Sequence, residues 1–306
     1  MITENKIAFF QDRINGEKRP ITADIYLTDY CNNSCEYCRF GKRTGKAMSY
    51  EMFKKIYNRL RDLGVQGIIL TGGGEPTINS DFKKITNLLE SRHVPYGVNS
   101  NFNVYAEFTP TFLKVSIDEG DEARYAKMRG ANKLRQVVEN IKRYRAFLES
   151  KDAKTRLGIQ CVTKSLEQVE RFYYSVALEL WAWVDYIQFR PVEMVGANLD
   201  YNEIDKYLKH LQKLDRKVYR SYKFDYVQTK FDYCPASWAA ITIDVEGMVH
   251  YCCNRPDLVI GSIFDEDILL KKEATVPNMN LCERPCRLTG ANVQLLREKD
   301  QEINFI

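Results

Sequence analysis

The chain has 306 residues, 44% of them hydrophobic and 28% charged, with a formal net charge of +4. That length suits one large domain with a small appendage around a sizeable core, and so mild a charge does not imply nucleic-acid binding. No apolar run approaches the length of a transmembrane helix, and the start Met-Ile-Thr-Glu-Asn-Lys is not a signal peptide, which argues for a reducing, cytoplasmic location and no membrane partner. Nine cysteines without an export signal point to ligation or redox chemistry rather than to a disulfide scaffold.

Residues 1–20 read as a polar leading segment. Strand-like runs follow at Ala23–Thr28, Gly67–Thr71, Tyr96–Asn99, Phe112–Ile117, Leu157–Val162 and Tyr186–Phe189. Amphipathic helical patterns occupy Tyr50–Leu63, Asp81–Ser91, Lys133–Leu148, Leu166–Leu180 and Asn202–Tyr219, with Ser49, Ser80 and Ser165 placed as N-caps. Short buried strands separated by helices argue for βαβ units on a parallel sheet, hence an α/β fold. Six strands are too few for a closed eight-fold barrel, so the expectation is a partial (β/α)6 barrel with ligands at the carboxyl ends of its strands. The apolar stretch Val176 to Val184, with Trp181 and Trp183, reads as a helix packed on the sheet. Near Lys230 the composition changes. From Ala240 the pattern is a β-hairpin turning at Gly247, and five of the nine cysteines lie around or beyond it. The expected division is therefore 1–20, a barrel over 21–228, and a small unit over 229–306 whose charged, helix-prone tail from Leu288 caps the barrel.

The chemistry concentrates where the first strand ends. Cys31, Cys35 and Cys38 form a CxxxCxxC loop, and thiolates converging from one loop suit a soft metal or an iron–sulfur cluster. A 4Fe–4S cube held by three thiolates leaves one iron open to a small molecule, whereas structural zinc wants a fourth Cys or His nearby. The second strand ends in Thr71-Gly-Gly-Gly-Glu-Pro76, whose glycines let backbone approach a ligand closely. Taken alone, such a turn is an ordinary βα connection.

The cysteine loop, its aromatic Tyr37 before the last cysteine, and the glycine turn in that order resemble the radical S-adenosylmethionine (SAM) superfamily. The resemblance implies a partial TIM-like barrel and a 4Fe–4S cluster on Cys31, Cys35 and Cys38 that binds SAM through its open iron. It also implies one-electron cleavage of SAM and hydrogen-atom abstraction from an unactivated C–H bond. By the same resemblance the backbone of Gly72, Gly73, Gly74 and Glu75 meets the SAM amino group. Asn99, Ser100, Ser116 and Asp118, at strand ends, serve its ribose and methionine. Arg129 resembles the base that pairs with the SAM carboxylate, the alternative being a surface arginine. Arg190, ending the sixth strand, is a candidate substrate anchor, or a side chain where a strand becomes wet.

Cys234, Gly247 and Cys252, with twelve and four residues between them, are similar to the opening pattern of SPASM/twitch auxiliary-cluster domains. Cys282 and Cys286 complete a set of four, which implies a second 4Fe–4S cluster in the one-cluster, twitch-like form. A four-cysteine zinc site is the alternative. Cys161, in an apolar strand, reads as a small buried hydrophobe. Cys253 is open to three readings: ligand, spectator, or a thiol returning a hydrogen atom to a substrate radical. The implied outcome is oxidation or epimerisation of a small substrate such as a sugar, aminocyclitol or nucleotide derivative, since only about twenty residues precede the first strand. A short peptide handled by a maturase is the second possibility, and a zinc-stabilised binding module without SAM chemistry is the rival from another class. An electron donor such as flavodoxin or ferredoxin is the implied protein partner.

Overall fold

A computed structural model describes residues 18–40, 44–193, 199–226, 231–282, 286–293 and 295. Most of the leading segment and most of the charged tail fall outside these residues. Seven parallel strands build the body: β1 (Thr22–Tyr26), β2 (Gly67–Thr71), β3 (Tyr96–Ser100), β4 (Phe112–Ser116), β5 (Arg156–Thr163), β6 (Tyr186–Pro191) and β7 (Val218–Arg220). Helices α1 (Tyr50–Asp62), α2 (Phe82–Ser91), α3 (Glu122–Arg129), α4 (Leu134–Ser150), α5 (Leu166–Arg171) and α6 (Asn202–Leu214) lie between them. With β8 (Ala240–Ile243), β9 (Met248–His250) and β10 (Val259–Ser262), the sheet carries ten strands in the order β10-β9-β8-β1-β2-β3-β4-β5-β6-β7, with β10 and β7 at its two ends, so the barrel is open.

Alternation along the strands sorts the chemistry. One face of β4 to β6 presents Leu113, Val115, Leu157, Ile159, Ile187 and Phe189, all fully buried in the main core. The alternate positions, on the concave face, carry Lys114, Ser116, Gln160, Gln188 and Arg190. At the amino end two glycines fix the floor. A Cβ on Gly97 would meet the Phe112 ring at 2.1 Å, and one on Gly158 would meet the Tyr186 ring at 2.1 Å. Each ring lies over the glycine directly opposite it in the register. The polar side chains therefore stand above an aromatic plug, toward the carboxyl ends.

The chain from residue 231 builds on the same sheet. Strand β8 (Ala240–Ile243) runs parallel to β1, Thr22 opposite Ala240 through Ile25 opposite Ile243. It turns at Gly247, whose φ is +81°, into β9 (Met248–His250), and β10 (Val259–Ser262) adds a third strand. The Asp244 carboxylate accepts from the Glu246 and Met248 amides, both at 2.9 Å, and fixes the turn.

Several local readings are corrected. Ser49 and Ser165 cap their helices through Met52 N and Gln168 N, but Ser80 does not cap α2. There Asp81 stands at the cap, its carboxylate accepting from the Tyr50 amide and Lys84 Nζ rather than from the helix's first amides, and its own amide donates to Asn79 Oδ1 at 2.8 Å. The pattern from Leu166 to Leu180 is not one helix: beyond Arg171 it widens into a π turn over Phe172–Ala177. Tyr173 and Trp181 from this region converge on the Asp215 carboxylate at 2.9 and 3.1 Å. The helix expected to reach Tyr219 ends at Leu214, and its last stretch is β7. Helix α3 was not visible as a periodic pattern because its eight residues bury only Tyr125 and Arg129. No helix among the described residues is long and apolar enough to cross a membrane.

Candidate active site at the carboxyl ends of the strands

The cysteine loop leaves β1 and is held by three surfaces. The first is the glycine turn. A Cβ on Gly74 would lie 1.8 Å from the Tyr30 carbonyl, one on Gly73 3.2 Å from that of Thr28, and one on Gly72 (φ +28°) 2.7 Å from the Tyr26 ring. Backbone packs on backbone here, closed by the Glu75 amide donating to Tyr30 O at 2.9 Å. Glycine is needed for that contact whatever else binds. The Glu75 carboxylate is buried and turned toward the end of β3, accepting from Ser100 Oγ at 2.6 Å, the Asn101 amide at 2.6 Å and Thr77 Oγ1 at 2.8 Å. Burial raises its pKa, and these donors pull it back.

The second surface is α3. Ser34 N and Glu36 N donate to the carbonyls of Arg129 and Met128 at 3.0 and 3.1 Å. Gly130, in the left-handed region at φ +66°, ends the helix so tightly against the loop that a Cβ would meet Ser34 Oγ at 1.9 Å. The third surface is the exit of β4, where Asp118 sits fully buried at φ +74°. Its carboxylate accepts from Arg129 Nη1 at 2.5 Å, from the Val162 amide at 2.7 Å, and from the Tyr37 hydroxyl. Arg129 is thus a buried guanidinium beneath the loop, not a surface residue, and with no ligand present its partners are Asp118 and Tyr37. Burial pushes the Cys35 thiol up to about 11, and the Arg129 charge draws it down. Asn101 Nδ2 donates to Cys31 Sγ at 3.6 Å, and Asn99 Nδ2 to Thr71 Oγ1 at 3.2 Å.

Beyond this loop the concave face is highly charged. Arg287 grips Asp24 of β1 with both guanidinium nitrogens. Glu193, just past β6, accepts from Lys223 and from Arg190 Nη1 at 2.8 Å, with Arg39 Nη2 at 3.8 Å. Burial opposes that charge, yet Lys223 and Arg190 more than offset it and hold Glu193 down to about 2. Lys114 reaches Gln188 Oε1 at 3.4 Å. Of this set only Arg190 was singled out in the sequence. Asp24 and Lys114 could have been found as charges at alternate positions of otherwise apolar strands. Lys223 lies in a short 3-10 turn over Tyr222–Tyr226 and Arg287 in a turn, and neither carries such a signal.

The second cysteine set is brought together from three segments. Cys234, Cys252 and Cys286 join a small core with Ala236, Tyr251, Leu288 and Leu295, and Cys282 lies within their electrostatic reach. Asn292 Nδ2 donates to Cys234 Sγ at 3.1 Å, while Asn254 Nδ2 and the Leu288 amide donate to Cys286 Sγ at 2.9 and 3.3 Å. Burial raises the thiols of Cys234, Cys252 and Cys286 to about 12, 11 and 12. Lys272, buried with Nζ on Tyr251 O at 2.6 Å, is the nearby cation that favours the Cys252 thiolate. Cys253 is different. The charges acting on it are Arg287 and Asp24 ahead of Cys252, its carbonyl accepts from Arg39 at 3.2 Å, and it is more open than Cys252. It therefore lies between the two cysteine sets, on the charged side. Cys161 is fully buried, its thiol 3.6 Å from the Asp118 carbonyl.

Among the described residues no three His, Cys, Asp or Glu side chains converge on one point as a single ion requires. The thiolates of a four-iron cube take separate corners. Three thiols on one loop, with an amide donor at Cys31 and a guanidinium beside Cys35, form a donor set that fits such a group.

Comparison with known proteins agrees with this geometry. Residues 25–156 match the model of the radical SAM superfamily. Among curated relatives, GTP 3',8-cyclase of Actinobacillus pleuropneumoniae is 22% identical over 208 residues, 63% of this chain and 57% of that protein. A probable GTP 3',8-cyclase of Pyrococcus horikoshii is 34% identical over 135 residues, 41% of this chain and 43% of that protein. The chain thus spans about half the length of the curated relatives it matches. Among solved structures, Streptococcus suis SuiB bound to precursor peptide SuiA superposes with a TM-score of 0.67 at 14% identity, covering 93% of this chain and 76% of that one. Native anSMEcpe with bound AdoMet and Cp18Cys peptide gives 0.58 at 17% identity, covering 91% and 95%. These likenesses establish the open, mostly parallel barrel fold.

Proposed function

We propose that the protein is an enzyme that cleaves SAM reductively and takes a hydrogen atom from an unactivated C–H bond of a small substrate, which it epimerises or oxidises. One observation carries this reading: the three-thiol loop is seated directly on the glycine turn that follows β2, with Tyr37, Arg129 and Asp118 locked beneath it. A cluster on Cys31, Cys35 and Cys38, with SAM on its open iron, would supply the hydrogen-abstracting chemistry. The chain's own residues do the rest. The glycine turn and α3 hold the loop, Asp118 fixes Arg129 and Tyr37, and the plug of Phe112 and Tyr186 closes the floor against water.

The outcome turns on the second cysteine set. Cys234, Cys252, Cys282 and Cys286 are the residues that would hold a second cluster, with Asn254 and Asn292 donating to its sulfurs and Lys272 offsetting its charge. Cys253 then keeps its S–H and faces Asp24 and Arg287. It can give a hydrogen atom to a carbon-centred radical, forming C–H and a thiyl, which one electron from a reductant of the flavodoxin or ferredoxin class and one proton from solvent restore. That is epimerisation. Oxidation is the second reading, favoured by the packing of Cys234, Cys252 and Cys286 in one small core with Cys282 within their electrostatic reach, a set that would offer an electron acceptor instead.

Reduced, anaerobically reconstituted protein should form 5′-deoxyadenosine from SAM, and Cys253→Ala should still do so with both sets of iron retained. For epimerisation, turnover in heavy water places one deuterium at the inverted carbon, because a thiol hydrogen exchanges with solvent, and Cys253→Ala abolishes inverted product. Normal turnover by that variant would move oxidation ahead. No 5′-deoxyadenosine from the wild type would sink the whole reading.

A further inference from the structure

The concave face of the sheet divides its charges by depth. Both carboxylates are withdrawn: the Asp24 side chain is 0% exposed and that of Glu193 is 8% exposed. Two of their cationic partners are more open, Arg287 28% and Arg190 25% exposed, while Lys223 is 11% exposed. Lys114, also partly exposed, stands on the neighbouring strands' polar row and makes its hydrogen bond to neutral Gln188 rather than to an acid. The charges that act on it are Arg190 and Lys223, then Glu193, then Arg287. Asp24 is already held by Arg287, and Glu193 is shared among Lys223, Arg190 and Arg39. What a solute above the aromatic plug meets is a set of cations whose counter-charges are behind them.

We infer that this row is an anion subsite, and that the substrate carries an oxyanion, phosphate or carboxylate, that docks on Lys114 with Arg190 and Arg287. The inference rests on the proposed function and names the substrate's charge class. An oxyanion would supply the acceptors that Lys114 lacks, and the open guanidinium edges suit its geometry. Fixing the charged end of a molecule here leaves its other end toward the cysteine loop, at the carboxyl ends of the strands, and toward Cys253, whose carbonyl is held by Arg39 just after that loop. Lys114 adds a signature. Burial, with Arg190 and Lys223 beside it, draws its ammonium down to about 7. Near pH 8 it is largely neutral, and a docking anion must draw a proton onto it. Lys223 is likewise lowered by burial but is held up by Glu193.

The test uses the full, anaerobically reconstituted protein saturated with SAM, titrated calorimetrically with inorganic pyrophosphate and separately with succinate. At least one probe should bind once per chain with proton uptake at pH 8, read from the buffer dependence of the heat. Lys114→Met should weaken that probe about tenfold or more, and Lys114→Arg should keep the affinity while abolishing the uptake, since arginine does not titrate. Stronger binding of pyrophosphate assigns a phosphorylated substrate, and stronger binding of succinate a carboxylate. Absence of binding by both probes at about 10 mM, or equal binding by Lys114→Met, would overturn the subsite. A probe that binds the SAM-free protein but not the SAM-saturated one would give these cations to the cofactor and overturn it too. 5′-Deoxyadenosine is measured on the same samples, so failure of SAM cleavage is seen separately from failure of anion binding.

Discussion

The two cysteine regions solve different problems. Cys31, Cys35 and Cys38 come from one loop, partly open to solvent, and are placed by backbone packing against the glycine turn and α3. Cys234, Cys252, Cys282 and Cys286 come from three segments; a small core places Cys234, Cys252 and Cys286, with side-chain and backbone amides aimed at sulfur. The first set includes the exposed Cys38, the second the buried Cys252. A site meant to exchange ligands and a site meant to keep its contents would differ in this way.

The sharpest way to break the comparison is to move one loop and not the other. Gly74→Val would force a side chain into the Tyr30 carbonyl. The first set should lose its iron, about half the total, and 5′-deoxyadenosine formation should vanish, while the second set keeps its absorption. Iron counting and the activity assay check this, and an unchanged iron content would show that the glycine turn does not seat the loop.

A smaller effect should follow from Asp118→Asn, which leaves Arg129 buried beside a neutral amide. Removing one partner of a buried ion pair costs about 3–5 kcal/mol, so thermal unfolding should come earlier. Support of the loop should weaken by about 10- to 100-fold in cluster affinity or SAM cleavage. If unfolding and cleavage both matched the wild type, Asp118 would be removed from the site.

The smallest change is expected in the second region. Asn292→Ala removes a donor from Cys234 and an acceptor from the Ala236 amide. The second cluster should be held about tenfold more weakly, with the first unaffected, as chelator competition followed by iron analysis would read. Loss of iron from the first set instead would mean that the two regions are not independent.

What the sequence disclosed follows the same division. A three-thiol loop and a glycine turn are contiguous strings, and the six barrel strands alternate visibly, so these were legible from local pattern. The roles of Asp118 and Arg129 were not. Both sat in the expected neighbourhood, yet nothing in the string says that they pair with each other and with Tyr37 across 11 and 81 positions of chain. The lumen charges show the extreme case. Asp24 finds Arg287 over a separation of 263 residues, and no period or spacing encodes such a partner. Pairing of that kind is a property of the sheet order, which brings residue 240 beside residue 22.

That neighbour relation also sets an order of assembly. Strand β1 carries the cysteine loop at its end, and β2 pairs with it as soon as residue 71 is made. Its other edge waits for β8, which begins about 170 residues after β2 ends. Until then β1 offers an unpaired hydrogen-bonding edge and a carboxylate, Asp24, without its arginine. Such contacts between distant parts of a chain form slowly and leave edges exposed to mispairing. A chain cut short of residue 240 would therefore hold three thiols on a strand paired along one edge only.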